Sequence, residues 1–298
     1  MTHLVQEVEA SERQACTVVG LSRSVYRREP QRPRQDQALR AELRRLRVRH
    51  PRYGVPRLTE VLCRAGWRAN KKKVQRLCRD EGLLVPRLRR RRQRHGVSSA
   101  EPRRAEYVNH VWSWDFIQDQ TADGRAVRIL SMVDEYSRVC VALEPRRSFR
   151  ARDAIRTLEQ AMAEFGRPGY LRSDNGPEFI AQALQQHLAT RQIGTHYITP
   201  GSPWENPFVE SFHGKLRDEC LNRELLGNLL EARVILGDFQ QEYNTVRPHS
   251  ALQYRTPMAY FTECLARRGQ AASEPVPGGA RPAVSPHGGP VLHPVGNP

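Results

Sequence analysis

VWSWDFIQDQTADGRAVRILSMVDEYSRVCVALEP, residues 111–145, is dense in Val, Ile, Trp, Phe and Tyr, the residues that pleated, half-buried strands favour. Asp123-Gly124 supplies a hairpin turn between its first two runs. Downstream the texture alternates: helix at about 150–165, strand at 169–173, helix at 178–191, strand at 195–199, helix at 207–222 and a last helix over Leu229–Tyr243. Three antiparallel strands followed by alternating helices and strands predict an α/β unit, one mixed sheet flanked by helices.

Upstream of this unit the chain is a polycation. Residues 1–105 hold 28 Lys and Arg against 10 Asp and Glu, a net of +18, whereas the remainder of the 298 residues is close to neutral at −2. Such a segment seeks polyanions, because neutralising phosphates releases condensed counterions. It lacks the Trp/Phe/Leu face of an interfacial helix, and no run of 18 apolar residues could span a bilayer, so nucleic acid is preferred over membrane. Met1–Ala10 contains Glu7 and Glu9 and is no apolar signal region, so a cytoplasmic, nucleoid-associated protein is expected. Six scattered cysteines without a C-x-x-C pair argue against a disulfide framework or a structural zinc site.

Within the basic segment, Ser11–Glu29 reads as two short helices broken at Gly20, a partial helix-turn-helix over 1–34. A second helical unit with a basic linker is expected over 35–95. Its apolar stripes are Leu39, Leu43 and Leu46, then Leu58, Val61, Leu62 and Ala65, then Val74, Leu77 and Cys78 between an Asn70 cap and a Gly82 stop. The opposite face of that last helix carries Lys71, Lys72, Lys73, Arg76 and Arg79, as a helix laid along DNA would; a solvated charged face is the alternative. The α/β unit is expected over 105–225, a helical extension over 226–266, and a disordered tail over 269–298, which holds 7 Pro and 6 Gly.

Three carboxylates stand out. Asp115 sits mid-strand between Trp114 and Phe116, where desolvation disfavours it unless it has a partner or cation. Asp174 ends a strand in SDNGPEF, residues 173–179, where a simple helix cap and turn would also select Asp, Asn and Gly. Glu210 lies on a helix whose core stripe is read as Phe208, Phe212 and Leu216, with Glu210, Gly214 and Arg217 on another face. Two strand carboxylates and one helix carboxylate could converge at one end of a sheet and hold two divalent ions, the arrangement that activates an attacking oxygen in phosphoryl transfer.

The intervals of 58 residues between Asp115 and Asp174 and 35 between Asp174 and Glu210, with WSWDF, SDNGPEF and ESFHGKLRDE, resemble the DDE catalytic core of retroviral-type integrases and transposases. More narrowly, with RYGVPRLTEVL, YNTVRPHSAL and TPMAY, residues 10–262 resemble the second-reading-frame product (OrfB) of the IS-three family of bacterial insertion sequences. That resemblance implies an RNase H-like five-stranded fold preceded by small all-α helix-turn-helix units. It implies that Asp115, Asp174 and Glu210 ligate two Mg²⁺, with Mn²⁺ a substitute, and that Arg217, with Lys215 a second candidate, contacts DNA. The partners it implies are the element's terminal inverted repeats and target DNA, a homo-oligomer assembled on DNA, and an upstream-frame product as fusion or partner. Asn175 and Gly176 would shape the turn presenting Asp174; Gly214 would give a DNA strand room or pack helices; Trp112 and Trp114 read as core. The stretch SPWENPFVE, with Trp204 and Pro207, departs from the family pattern. A transposase is thus the leading expectation; a catalytically silent helix-turn-helix regulator and an RNase H-like nuclease or resolvase are the alternatives.

Overall fold

The computed structural model describes residues 11–26, 36–86, 104–174, 176, 181–198 and 205–273. Two short helices come first, α1 (Glu12–Val19) and α2 (Arg23–Tyr26). Ser11 and Gln14 close a capping box at the start of α1, and Gly20, at φ +70°, ends it in the left-handed region where glycine carries no Cβ penalty.

α3 (Gln37–Arg49), α4 (Val55–Arg64) and α5 (Lys71–Asp80) enclose a small core of their own. Leu39, Leu43, Leu46, Leu58, Leu62, Val74, Leu77 and Cys78 are its buried members, as their helical spacing dictates. Ala65 is the exception: it falls at the C-cap of α4 and is exposed, because the helix stops one residue before the stripe would return to the core. Asn70 caps α5 by accepting from the Lys73 amide at 2.8 Å.

The larger unit is a five-stranded sheet of order β3-β2-β1-β4-β5, formed by β1 (Val111–Gln120), β2 (Ala126–Asp134), β3 (Cys140–Arg146), β4 (Tyr170–Ser173) and β5 (Gly194–Tyr197). β1, β2 and β3 are antiparallel neighbours, and β4 and β5 join in parallel beside β1, so the sheet is mixed as expected. Even-numbered residues of β1, Trp112 and Trp114, pack with α6 (Ala151–Phe165) and α7 (Gln182–Thr190) in one core. Odd-numbered positions face a second core with α8 (Pro207–Leu216) and α9 (Leu229–Thr245). This layering of helices on both faces buries each side of a sheet whose period is two.

Three further details depart from the sequence reading. On α8 the buried stripe is Val209, Phe212 and Leu216; Phe208 is only half-buried, with the Arg138 guanidinium 4.0 Å above its ring. The helix expected over 207–222 is not one continuous α-helix, because a π-helical turn, Arg217–Leu221, replaces its last third. α10 (Pro257–Ser273) runs into the stretch assigned to the tail, its Phe261 anchored in the first core. All six cysteines are free thiols. Among the described residues no helix is long and apolar enough to cross a membrane.

Candidate active site

Parallel pairing sets Val111, Trp112 and Ser113 opposite Tyr170, Leu171 and Arg172. Side chains alternate along each strand, so Asp115 lies on the face of Ser113 and Asp174 on the face of Arg172. The two aspartates therefore leave the β1–β4 pair in step at its C-terminal end. Phe212 and Leu216 of α8 pack on that face against Ile117, Ile129 and Val133, which brings Glu210 alongside.

The electrostatics register this proximity. Burial first, then the charges of Asp174 and Glu210, push the Asp115 carboxyl up to about 6, against the Phe116 amide that donates to it at 2.7 Å. Burial also raises Glu210. Asp174 accepts from the Gly176 amide at 3.0 Å, the self-capping turn that Asp favours. Among the described residues, no group of three His, Cys, Asp or Glu side chains is arranged to hold a metal ion. Asn175, Glu178, Phe179 and Trp204 lie outside the described residues.

Beneath the carboxylates the sheet carries a polar cluster that the sequence did not reveal. Glu135 accepts from the Ser113 hydroxyl and stands 2.9 Å from Arg172 Nε, and Arg172 Nη1 donates to the Glu205 carbonyl at 3.1 Å, just before α8. His213 was missed as well, although its position three after Glu210 puts it on the neighbouring face. Its Nε2 lies 2.6 Å from Ser131 Oγ and its Nδ1 3.8 Å from Asp115. Burial, then Arg217, pushes this imidazole down to about 4, so at neutral pH it is uncharged.

The other candidates divide. Arg217, at the junction of α8 and the π-helical turn, is exposed and donates to the Gln118 carbonyl at 3.1 Å. Lys215 lies elsewhere, five residues past Glu210 and so on a different side of α8; its Nζ donates to Ser211 O and Oγ, both at 2.6 Å. A Cβ at Gly214 would meet no atom within 4 Å, so helix packing does not account for this glycine. On α5, Lys71, Lys72 and Arg79 are exposed, whereas Lys73 and Arg76 are drawn to the buried Asp36 at 2.8 and 2.7 Å.

Comparison with known proteins agrees with this architecture. Residues 34–92 match the family described as "HTH-like domain", and residues 105–203 and 191–257 match two models of "Integrase core domain". The chain is 37% identical to the 31.7 kDa protein of insertion element IS407 from Burkholderia multivorans, across 87% of this chain and 94% of that one. It is 25% identical to the transposase InsF of insertion sequence IS3A from Escherichia coli, across 72% of this chain and 78% of that one. Among solved structures, a simian T-cell lymphotropic virus intasome in complex with PP2A regulatory subunit B56 gamma matches with a TM-score of 0.49 and 19% identity, across 73% of each chain. Helical units of the HTH-like type followed by a mixed-sheet integrase core place the chain in the IS3 family of insertion-sequence transposases.

Proposed function

We propose that Asp115, Asp174 and Glu210 form the reaction centre at which this transposase cuts and joins DNA at the ends of its element. The observation carrying this reading is the in-step exit of Asp115 and Asp174 from the parallel β1–β4 pair, on the face that α8 and Glu210 flank. The donor chemistry suits a divalent cation: all three groups offer carboxylate oxygens, the donors of Mg²⁺ and Mn²⁺, and a cation there would relieve the cost that burial and two like charges place on ionised Asp115. When bound, two such ions would activate the attacking oxygen and stabilise the leaving one. Glu210 is exposed, so its side chain is free to swing toward the aspartates.

The remaining roles belong to positioning. Arg217 stands on the open side of the site as a contact for the element's terminal phosphates, and Gly214, bare of side chain between it and Glu210, leaves room for a strand. Lys71, Lys72 and Arg79 would lie on the backbone of the terminal repeats, with the helical units reading the ends and the core acting on them, in an oligomer assembled on DNA and together with an upstream-frame product. The nucleophile is first water and then a DNA 3′-OH, with no covalent enzyme intermediate.

Strand transfer with a pre-cleaved element end and Mg²⁺ tests this. Asp174→Asn is expected to abolish joining while leaving end binding near wild type; normal joining by that variant would return SDNGPEF to a turn and nothing more.

A further inference from the structure

On the side of α8 away from Glu210 lies a cavity of about 270 Å³, walled by Arg57 from the helical unit, Arg138 from the β2–β3 turn, Lys215 from α8, and Arg247 and His249 from the RPH segment after α9. Among the described residues, a single carboxylate, Glu219, is ion-paired to these cations, and two of them share it. Arg247 is clasped by Glu219 through Nε at 2.7 Å and Nη2 at 2.5 Å, and Arg57 stands 4.0 Å from that same carboxylate. Lys215 has hydroxyl and carbonyl partners but no ion pair among the described residues. Arg138 feels Asp134 and Glu135 from behind the turn, yet its buried Nη1 has no hydrogen-bond partner among the described residues.

Arg138 also occupies a costly backbone position. At φ +68° it is in the left-handed region, where Gly or Asn is the low-cost residue, so a turn that could be closed by glycine carries a guanidinium. The crowding has electrostatic consequences. Burial, then Arg247 with Arg57 and Arg138 behind it, pushes Lys215 down to about 8, and burial, then Arg247 and Lys215, depresses His249, which accepts from Arg247 at 3.2 Å as a neutral ring. Partly buried positive charge in such surplus is expensive unless an anion completes it.

We propose that this cavity is an anion site that clasps one phosphoryl group of bound DNA between Arg57, Arg138 and Lys215, across the junction of the helical unit and the core. Several donors at one site match the several acceptor oxygens of a phosphate, and the cavity admits one such group but no duplex. The site would thereby make docking of the helical unit on the core sensitive to DNA. It also gives the YNTVRPHSAL stretch a role, in which Arg247 and His249 brace the wall.

Thermal unfolding of the full chain in inorganic phosphate against chloride at equal ionic strength supplies the first test. Phosphate is expected to raise the midpoint by roughly 2–4 °C, and Arg138→Asn, which suits the left-handed backbone, and Lys215→Gln are each expected to remove that rise. Equal midpoints in the two salts, or a rise that survives both substitutions, would overturn the site. The second arm rests on the reading that the chain acts on DNA. Each variant should flatten the dependence of log affinity for element-end DNA on log salt by about 0.9, and the double variant by no more, because both groups hold one phosphate. Loss of the phosphate response with an unchanged slope would overturn DNA as the source of the anion in favour of free phosphate. Lys71→Gln is expected to flatten the slope while keeping the phosphate response. Neither arm requires strand transfer or a divalent ion, so a failed carboxylate assignment leaves this result intact.

Discussion

The Arg172 guanidinium and the Glu135 carboxylate meet at 2.9 Å inside the sheet, both side chains almost fully buried, two residues before Asp174 and on its face. The pair links the β1 side of the sheet, through Ser113, to the segment entering α8, through the Glu205 carbonyl. It therefore sits under the ends of the two elements that present Asp174 and Glu210.

Breaking such a pair from one side leaves an uncompensated buried charge. Arg172→Met is expected to destabilise the chain by about 3–5 kcal/mol, and Arg172→Met with Glu135→Leu by much less, since the stranded carboxylate is then gone. Urea unfolding of the two variants checks this. Equal losses would mean that packing of the arginine stem, not charge, holds the site.

Gly214 separates stability from activity. It lies within α8, exposed, with open space where a Cβ would stand. Gly214→Ala should stabilise the helix by about 1 kcal/mol. If the glycine leaves room for a DNA strand beside Glu210, the same change lowers joining even as the melting temperature rises. Joining that rises or holds with stability would return Gly214 to an ordinary helix position.

What the sequence made legible follows from periodicity. The strands at 111–146, the leucine stripes of α3 to α5 and the mid-strand position of Asp115 all show in patterns of two or 3.6 residues. What it hid depends on partners far apart in the chain. The ion pair of Glu135 with Arg172, the capture of Lys73 and Arg76 by Asp36, and the cations gathered around Lys215 each join elements with no shared local pattern. The π-helical turn at Arg217 and the left-handed Arg138 were hidden for another reason: neither has a residue-type signature, arginine being an ordinary helix former.

Asp36 makes the helical unit acid-sensitive. The hydrogen bond from Lys73, helped by Arg76 and opposed by burial, holds its carboxyl below the usual aspartate range. A folded-state value below the unfolded one means stability fully present above about pH 4 and lost as pH falls from there through the depressed value. Amide exchange in α3 and α5 should accelerate on acidification through that window. Asp36→Asn should weaken protection at neutral pH and flatten its pH dependence; an unchanged acid response would place the sensitivity at another carboxylate, Glu81 being the next, since Arg40 and Arg44 lower it too.

The last prediction concerns the division of labour between the basic segment and the core. The buried clusters around the sheet draw only on residues from Val108 onward, and the helical unit's cluster only on residues up to Leu83, so each unit has an apolar core of its own. The polar contacts across the junction include His50 to Glu242 at 3.0 Å, Arg52 to Asp218 at 2.5 Å, Arg57 to Glu219 at 4.0 Å and Arg64 to the Tyr254 carbonyl at 2.5 Å. Apart from His50, whose side chain is buried, the paired groups are partly exposed, and pairs of that kind contribute little stability. A fragment beginning at Glu106 should therefore fold, with its unfolding midpoint near that of the core in the full chain. It leaves behind the +18 of residues 1–105 and keeps a net of −2. Counterion release then gives it little, whereas a parent with about six to ten phosphate contacts loses on the order of 10³ to 10⁵ in affinity between 50 and 200 mM salt. Titrating both proteins against element-end and scrambled DNA at several salt concentrations should find the fragment weak, shallow in its salt dependence and indifferent to sequence. A fragment as end-selective as its parent would move recognition of the ends into the core.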